Sequence, residues 1–144
     1  MNIYMRKILL SAALLLAAVT GSAQEERNLF KGYFVNEDLN VYMRMDLQNS
    51  MDIPDHELFG PLPGFLAKQH NGFYWLIIDA HIKNNKKATI QLVNDYGSED
   101  LTATIRIPND SVMILEQVEG SPIKVPKDGK WFKLPSKITF KRKL

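Results

Sequence analysis

Residues 87–107, KATIQLVNDYGSEDLTATIRI, hold two runs of alternating apolar and polar side chains on either side of a short polar segment. Ala88, Ile90 and Leu92 share one face of the first run. Leu101, Ala103, Ile105 and Ile107 share one face of the second, with Thr102, Thr104 and Arg106 opposite. Side chains alternate between the two faces of a strand, so each run reads as a half-buried β-strand. The segment between them, Asn94 to Asp100, crowds oxygen-bearing side chains around Gly97 and raises a calcium loop as the alternative to a turn. A helix-flanked calcium loop needs ligands at alternating positions over about a dozen residues and a closing bidentate glutamate. Gly97 stands where such a ligand is wanted, and no helical period flanks it. Asn94 and Asp95 can bond their own backbone and Gly97 can take positive φ, so the segment reads as a hairpin connection between antiparallel neighbours.

The same period of two runs through most of the chain. LNVYMRMDL puts Leu39, Val41, Met43, Met45 and Leu47 on one face, and KITFKR alternates again near the C-terminus. Turn chemistry separates the runs: Asn84-Asn85 in KNNK, then PNDS at 108–111, EGSP at 119–122 and PKDGK at 126–130. The resulting strand expectation is 29–35, 39–47, 73–83, 87–94, 101–107, 111–118, 122–125 and 137–142. No helical period is sustained, and GFLAKQH, Gly64 to His70, offers at most one helical turn. Strands with one wet face are usually antiparallel. The fold class is therefore all-β, a single-domain antiparallel meander of about eight strands, with a closed barrel and a β-sandwich as the two solutions.

Gly32-Tyr33-Phe34 in the first strand resembles the Gly-x-Trp element of lipocalin-like, or calycin, barrels, with Phe34 in the place of the tryptophan. Arg142 lies in the last strand in phase with Ile138 and Phe140. The resemblance implies that it points inward and packs over that aromatic at the barrel base. NDSVMIL followed by ITFKRK is similar to the closing strands of small secreted lipocalin-like domains of unknown function. The family resemblance implies a barrel closed by pairing of the N- and C-terminal strands. Closure removes the exposed edges that invite aggregation.

The N-terminus reads as a leader. Arg6 and Lys7 precede an apolar or small run from Ile8 to Val19, and Gly21-Ser22-Ala23 supplies small residues before Gln24. These are the three regions of a secretory signal peptide, 1–23, and the run is shorter than the roughly 18–20 residues of a membrane span. The expectation is an exported protein, periplasmic or secreted, with the domain at 24–144 and no membrane anchor after cleavage. Without cysteine, neither a lipid-acylated cysteine nor a disulfide is available. The leader removes Arg6 and Lys7 and no acid, so the formal charge of +2 falls to zero, with 16 basic and 16 acidic residues. A nucleic-acid partner therefore has no electrostatic support.

Function points to binding. The stretch 51–72, MDIPDHELFGPLPGFLAKQHNG, is rich in Pro and Gly yet carries Leu58, Phe59, Leu62, Phe65 and Leu66. A connection of that length covers, plugs or binds something. It precedes GFYWLIIDAHIK, where Tyr74, Leu76, Ile78, Ala80 and Ile82 continue as one apolar face while Phe73, Trp75 and Ile77 make the opposite face apolar too. Such a strand is covered on both sides at its start. The candidate ligand-binding residues are Leu58, Phe59, Leu62, Phe65, Phe73, Trp75 and Ile77, with a small apolar molecule held at the barrel mouth under the 51–72 loop. A protein-interaction module, inhibitor or envelope-assembly factor, using the exposed face of that loop is the alternative. Asp79 with His81, and Asp55-His56-Glu57, fall short of the converging ligands a zinc site needs. Ser98, Ser111 and Ser121 lie in turns without a nucleophile elbow. No catalytic residue, metal or cofactor is expected, and a small hydrolase ranks last.

Overall fold

The computed structural model describes residues 28–144; the proposed leader lies outside them. Among the described residues ten strands form: β1 (Lys31–Asn36), β2 (Val41–Asp46), β3 (Gly64–Lys68), β4 (Tyr74–Asn84), β5 (Lys87–Asn94), β6 (Asp100–Asn109), β7 (Val112–Gly120), β8 (Lys124–Lys127), β9 (Lys130–Lys133) and β10 (Lys137–Lys143). Eight of them close in the order β1-β10-β7-β6-β5-β4-β3-β2, all neighbours antiparallel, and β8 with β9 makes a separate hairpin. The architecture is a closed eight-stranded antiparallel meander barrel, consistent with the lipocalin-like resemblance, and the sandwich alternative falls away.

The hairpin at 94–100 forms as its chemistry dictates. Asn94 Oδ1 accepts from the amides of Ser98 at 2.9 Å and Glu99 at 3.3 Å, and Gly97 takes φ of 71°. Leu92 then pairs with Leu101 and Ile90 with Ala103, which keeps both apolar sets inside. Phe34, Met43, Leu66, Trp75, Ile90 and Phe140, contributed by six different strands, are among the side chains packed in the interior. The lumen is therefore occupied by the protein's own side chains, as small barrels allow. Outward positions carry Thr89, Gln91, Thr102, Thr104, Arg106 and Lys141. A membrane barrel presents the reverse, an apolar outer band.

Besides β9, which no expected strand covers, and β8, which lies at Lys124–Lys127 rather than 122–125, two strands depart from the sequence expectation in an instructive way. β3 lies inside the stretch read as one long connection, because Phe65, Leu66 and Ala67 are all buried and show no alternation. Leu66 faces the lumen, while Phe65 and Ala67 face outward under a second apolar cluster with Ile53, Tyr74 and Leu76. β4 does not keep its even-numbered residues on one face. A register shift between Ile77 and Asp79 leaves Ile78 exposed, so the core-facing set runs Phe73, Trp75, Ile77 and then Ala80 and Ile82. A β-bulge adds one residue to one strand and flips every later side chain to the other face.

Gly32 shows why the first strand needs a glycine. A Cβ there would lie 2.5 Å from Nη1 of Arg142. The Arg142 guanidinium crosses that vacant space and stacks over Phe34, its carbon 4.5 Å from the ring centre.

Candidate functional site

Strand order assigns the connections to the two barrel ends. Turns 37–40, 69–73 and 95–99 and the long connection 121–136 share one end. The 47–63 connection and the β4–β5 and β6–β7 turns share the other. The β8–β9 hairpin, held by an Asp128-Gly129 turn with φ of 53° and 75°, caps the first end. Ile123, Val125 and Leu134 from this connection are buried in the barrel core. Trp75 is fully buried beneath it and donates its Nε1–H to the Lys124 carbonyl at 2.9 Å. That bond gives the indole the polar partner a buried tryptophan requires.

Beside the cap lies a recess of about 200 Å³. Phe73 forms its floor, with Trp131 edge-on at 4.8 Å and Tyr96 tilted at 5.3 Å; Tyr96 and Trp131 stand at 85° to each other. Trp131 keeps 53% and Tyr96 74% of its surface exposed. Glu99 and Lys124 line the recess too, joined by a 3.3 Å ion pair. Asn94 is spent on its own turn, through Ser98 and Glu99. Trp131 Nε1 and the Tyr96 hydroxyl have no hydrogen-bond partner among the described residues, and water or a ligand satisfies them.

The seven residues expected to bind a ligand are distributed over three places. Phe73 and Trp75 line the recess, and Ile77 lies deeper in the main core. Phe65 and Leu62 belong to the outer apolar cluster. Leu58 and Phe59 are exposed at a 3₁₀ turn, Glu57–Phe59. The 47–63 connection leaves from the opposite end and climbs the outer wall of β3 and β4, so it covers Tyr74 and Leu76 rather than Phe73, Trp75 and Ile77. The cap over those three is 121–136 instead. Tyr96, Glu99, Lys124 and Trp131 were not among the expected site residues. The sequence marks PKDGK as a turn, and its Asp-Gly pair, a strong short-range hairpin cue, is the signal for the second strand on its far side.

The tip of the 47–63 connection also reaches the recess end. His56 Nε2 meets Asp95 Oδ1 at 2.5 Å, its Nδ1 lies 2.9 Å from the Pro54 carbonyl, and its ring stacks on Tyr74 at 4.7 Å. Burial disfavours the imidazolium, but the Pro54 carbonyl, Asp95 and Asp55 outweigh it and raise the His56 pKa above 6.5. Tyr74 continues an aromatic ladder across the outer wall through Phe65, Tyr42 and Tyr33. Within it Tyr42 is pushed up to about 12, chiefly by burial and then by the neighbouring phenol of Tyr74.

Asp79 and His81 are solvent-facing on β4. Among the described residues no three His, Asp or Glu side chains converge as a metal site would require. No family model, curated protein or solved structure matches the chain.

Proposed function

We propose that the protein is an exported, non-enzymatic binding protein whose ligand sits on the rim of the barrel, against Phe73, Tyr96 and Trp131, and not in the lumen. The observation that carries this reading is the clustering of two largely exposed aromatics on a buried third over a recess. Exposed apolar surface gathered in one place marks a contact site more often than scattered side chains do. Covering about 100 Å² of it yields roughly 2.5 kcal/mol from burial alone. The volume limits the occupant. Drug-sized ligands fill pockets of about 300–1,000 Å³, and a recess near 200 Å³ between angled aromatic walls takes a single ring.

The test is ligand-observed magnetisation transfer from the full chain to a mixed set of ring-sized compounds and one fatty acid. Signals from ring compounds that vanish in Trp131→Ala, with none from the fatty acid, support rim binding. Fatty-acid binding that survives Trp131→Ala would overturn it in favour of a lumen carrier.

A second reading rests on Leu58 and Phe59, adjacent and exposed beside Pro61 on the outer connection. They suit docking of a protein partner, as the alternative expectation from sequence had it. Cross-linking from position 58 in the native extract is its test: a discrete adduct lost in Phe59→Glu supports it, and labelling unchanged by Phe59→Glu removes it.

A further inference from the structure

We infer that the ligand of the rim recess is a neutral polyhydroxylated ring, a pyranose sugar or the end unit of a glycan; this rests on the rim-binding reading above. Three features of the recess act together. First, its size admits one ring. Second, its aromatic walls meet at a steep angle, Tyr96 and Trp131 at 85°, with Phe73 at their junction. A puckered ring with C–H groups on its face and edge can contact both walls, and a flat aromatic ring can stack on one and meet the other edge-on, so the polar side of the recess decides between them.

Third, the polar side of the recess carries one cation and one anion. The ammonium of Lys124 lies 3.3 Å from Oε1 of Glu99, and both side chains remain partly open to solvent. A purely apolar ring would strip water from this pair and give nothing back, a loss that buried charges make severe. The pair carries no net charge, so it gives neither an anion nor a cation a net attraction. Two adjacent hydroxyls satisfy both groups at once, one donating to the carboxylate while its neighbour accepts from the ammonium. The free indole N–H of Trp131 and the hydroxyl of Tyr96 add a further donor and a donor–acceptor on the aromatic side.

Other parts of the molecule are less informative. The Leu58-Phe59 tip lacks any feature that specifies a partner's chemistry. The lysines of 124–143 lie among Glu37, Glu99, Glu116 and Asp128, which breaks up a continuous basic face.

A monosaccharide has about a dozen heavy atoms, and at the efficiency of ordinary ligands that corresponds to a Kd on the order of 1 mM. A glycan end unit with a second sugar against Trp131 binds about tenfold tighter.

The experiment is calorimetric titration of the full chain with the methyl glycosides of glucose, galactose and N-acetylglucosamine, with cellobiose and maltose, and with indole as the aromatic control. At least one saccharide should bind saturably, weaken about tenfold in Glu99→Gln and lose binding in Trp131→Ala, with thermal midpoints of both variants near wild type. Indole binding that is lost in Trp131→Ala, without any saccharide binding, would overturn the sugar assignment and leave the rim site standing. Silence from every probe would remove both. Saccharide binding that ignores both substitutions would place the sugar elsewhere and overturn the inference.

Discussion

The guanidinium carbon of Arg142 lies 4.5 Å from the ring centre of Phe34, at the end of the barrel opposite the recess. Its nitrogens donate to three backbone carbonyls, Asp110 at 2.6 Å, Lys31 at 2.7 Å and Leu29 at 2.8 Å. One side chain thus ties the entry to β1, the β6–β7 turn and the last strand together where the barrel closes.

Arg142→Ala should therefore destabilise the fold by about 2–4 kcal/mol, from lost charged hydrogen bonds of about 1.5–3 kcal/mol each, partly replaced by water, and a cation–π contact near 1 kcal/mol. Lysine cannot reproduce the planar fork, so Arg142→Lys should recover less than half. Urea unfolding of the three proteins measures this. A loss below about 0.5 kcal/mol in Arg142→Ala would mean the closure does not depend on this contact.

Trp75 joins the cap to the core through the Lys124 carbonyl. Trp75→Phe keeps most of the apolar volume but leaves that carbonyl without its donor, and should cost about 1–3 kcal/mol. Trp75→Ala adds a cavity and should cost about 3–5 kcal/mol. In hydrogen exchange, the Trp75→Phe loss should appear first in the β8–β9 hairpin. Uniform loss of protection around the barrel would show that the hairpin is not separately hinged on this bond.

His56 gives the outer connection a pH dependence. Its pKa is raised in the folded protein, where Asp55 and the Pro54 carbonyl from its own segment and Asp95 from the β5–β6 turn face it, with Tyr74 beneath the ring. A raised folded value means the pairing is fully stabilising below the unfolded pKa of about 6.5 and fades as pH rises through the folded value. The thermal midpoint difference between wild type and His56→Gln should therefore be largest in mild acid, about pH 6, and shrink by about pH 9. A difference that grows with pH would contradict the assigned pairing.

Where one face of a strand is wet, its residues disclose it. Ala88-Ile90-Leu92 and Leu101-Ala103-Ile105 alternate because β5 and β6 have solvent on their outer side. Phe65-Leu66-Ala67 hide a strand because both faces are covered, and a run of apolar residues without period cannot distinguish strand, turn of helix or buried loop. The Arg142–Phe34 contact was anticipated through the lipocalin-like resemblance, with strand phase alone setting only the side to which Arg142 points. The rim site was not. Phe73 comes from the β3–β4 turn and Trp75 from β4, Tyr96 and Glu99 from a turn, and Lys124 and Trp131 from a hairpin over the barrel end. Only barrel closure brings these segments together, and no local spacing encodes it.

The central claim is that ligand binds at the rim while the lumen stays filled, and the two indole N–H groups report on it separately. Trp75 Nε1–H is bonded to Lys124 inside the cap, and Trp131 Nε1–H lines the open recess. In a proton–nitrogen correlation spectrum recorded during titration with cellobiose, the Trp131 indole signal should shift saturably. The Trp75 signal, buried and bonded to Lys124, should shift less than that of Trp131 and remain protected from exchange. Movement of the Trp75 signal with a still Trp131 signal, or no movement of either up to about tenfold above 1 mM, would contradict the account.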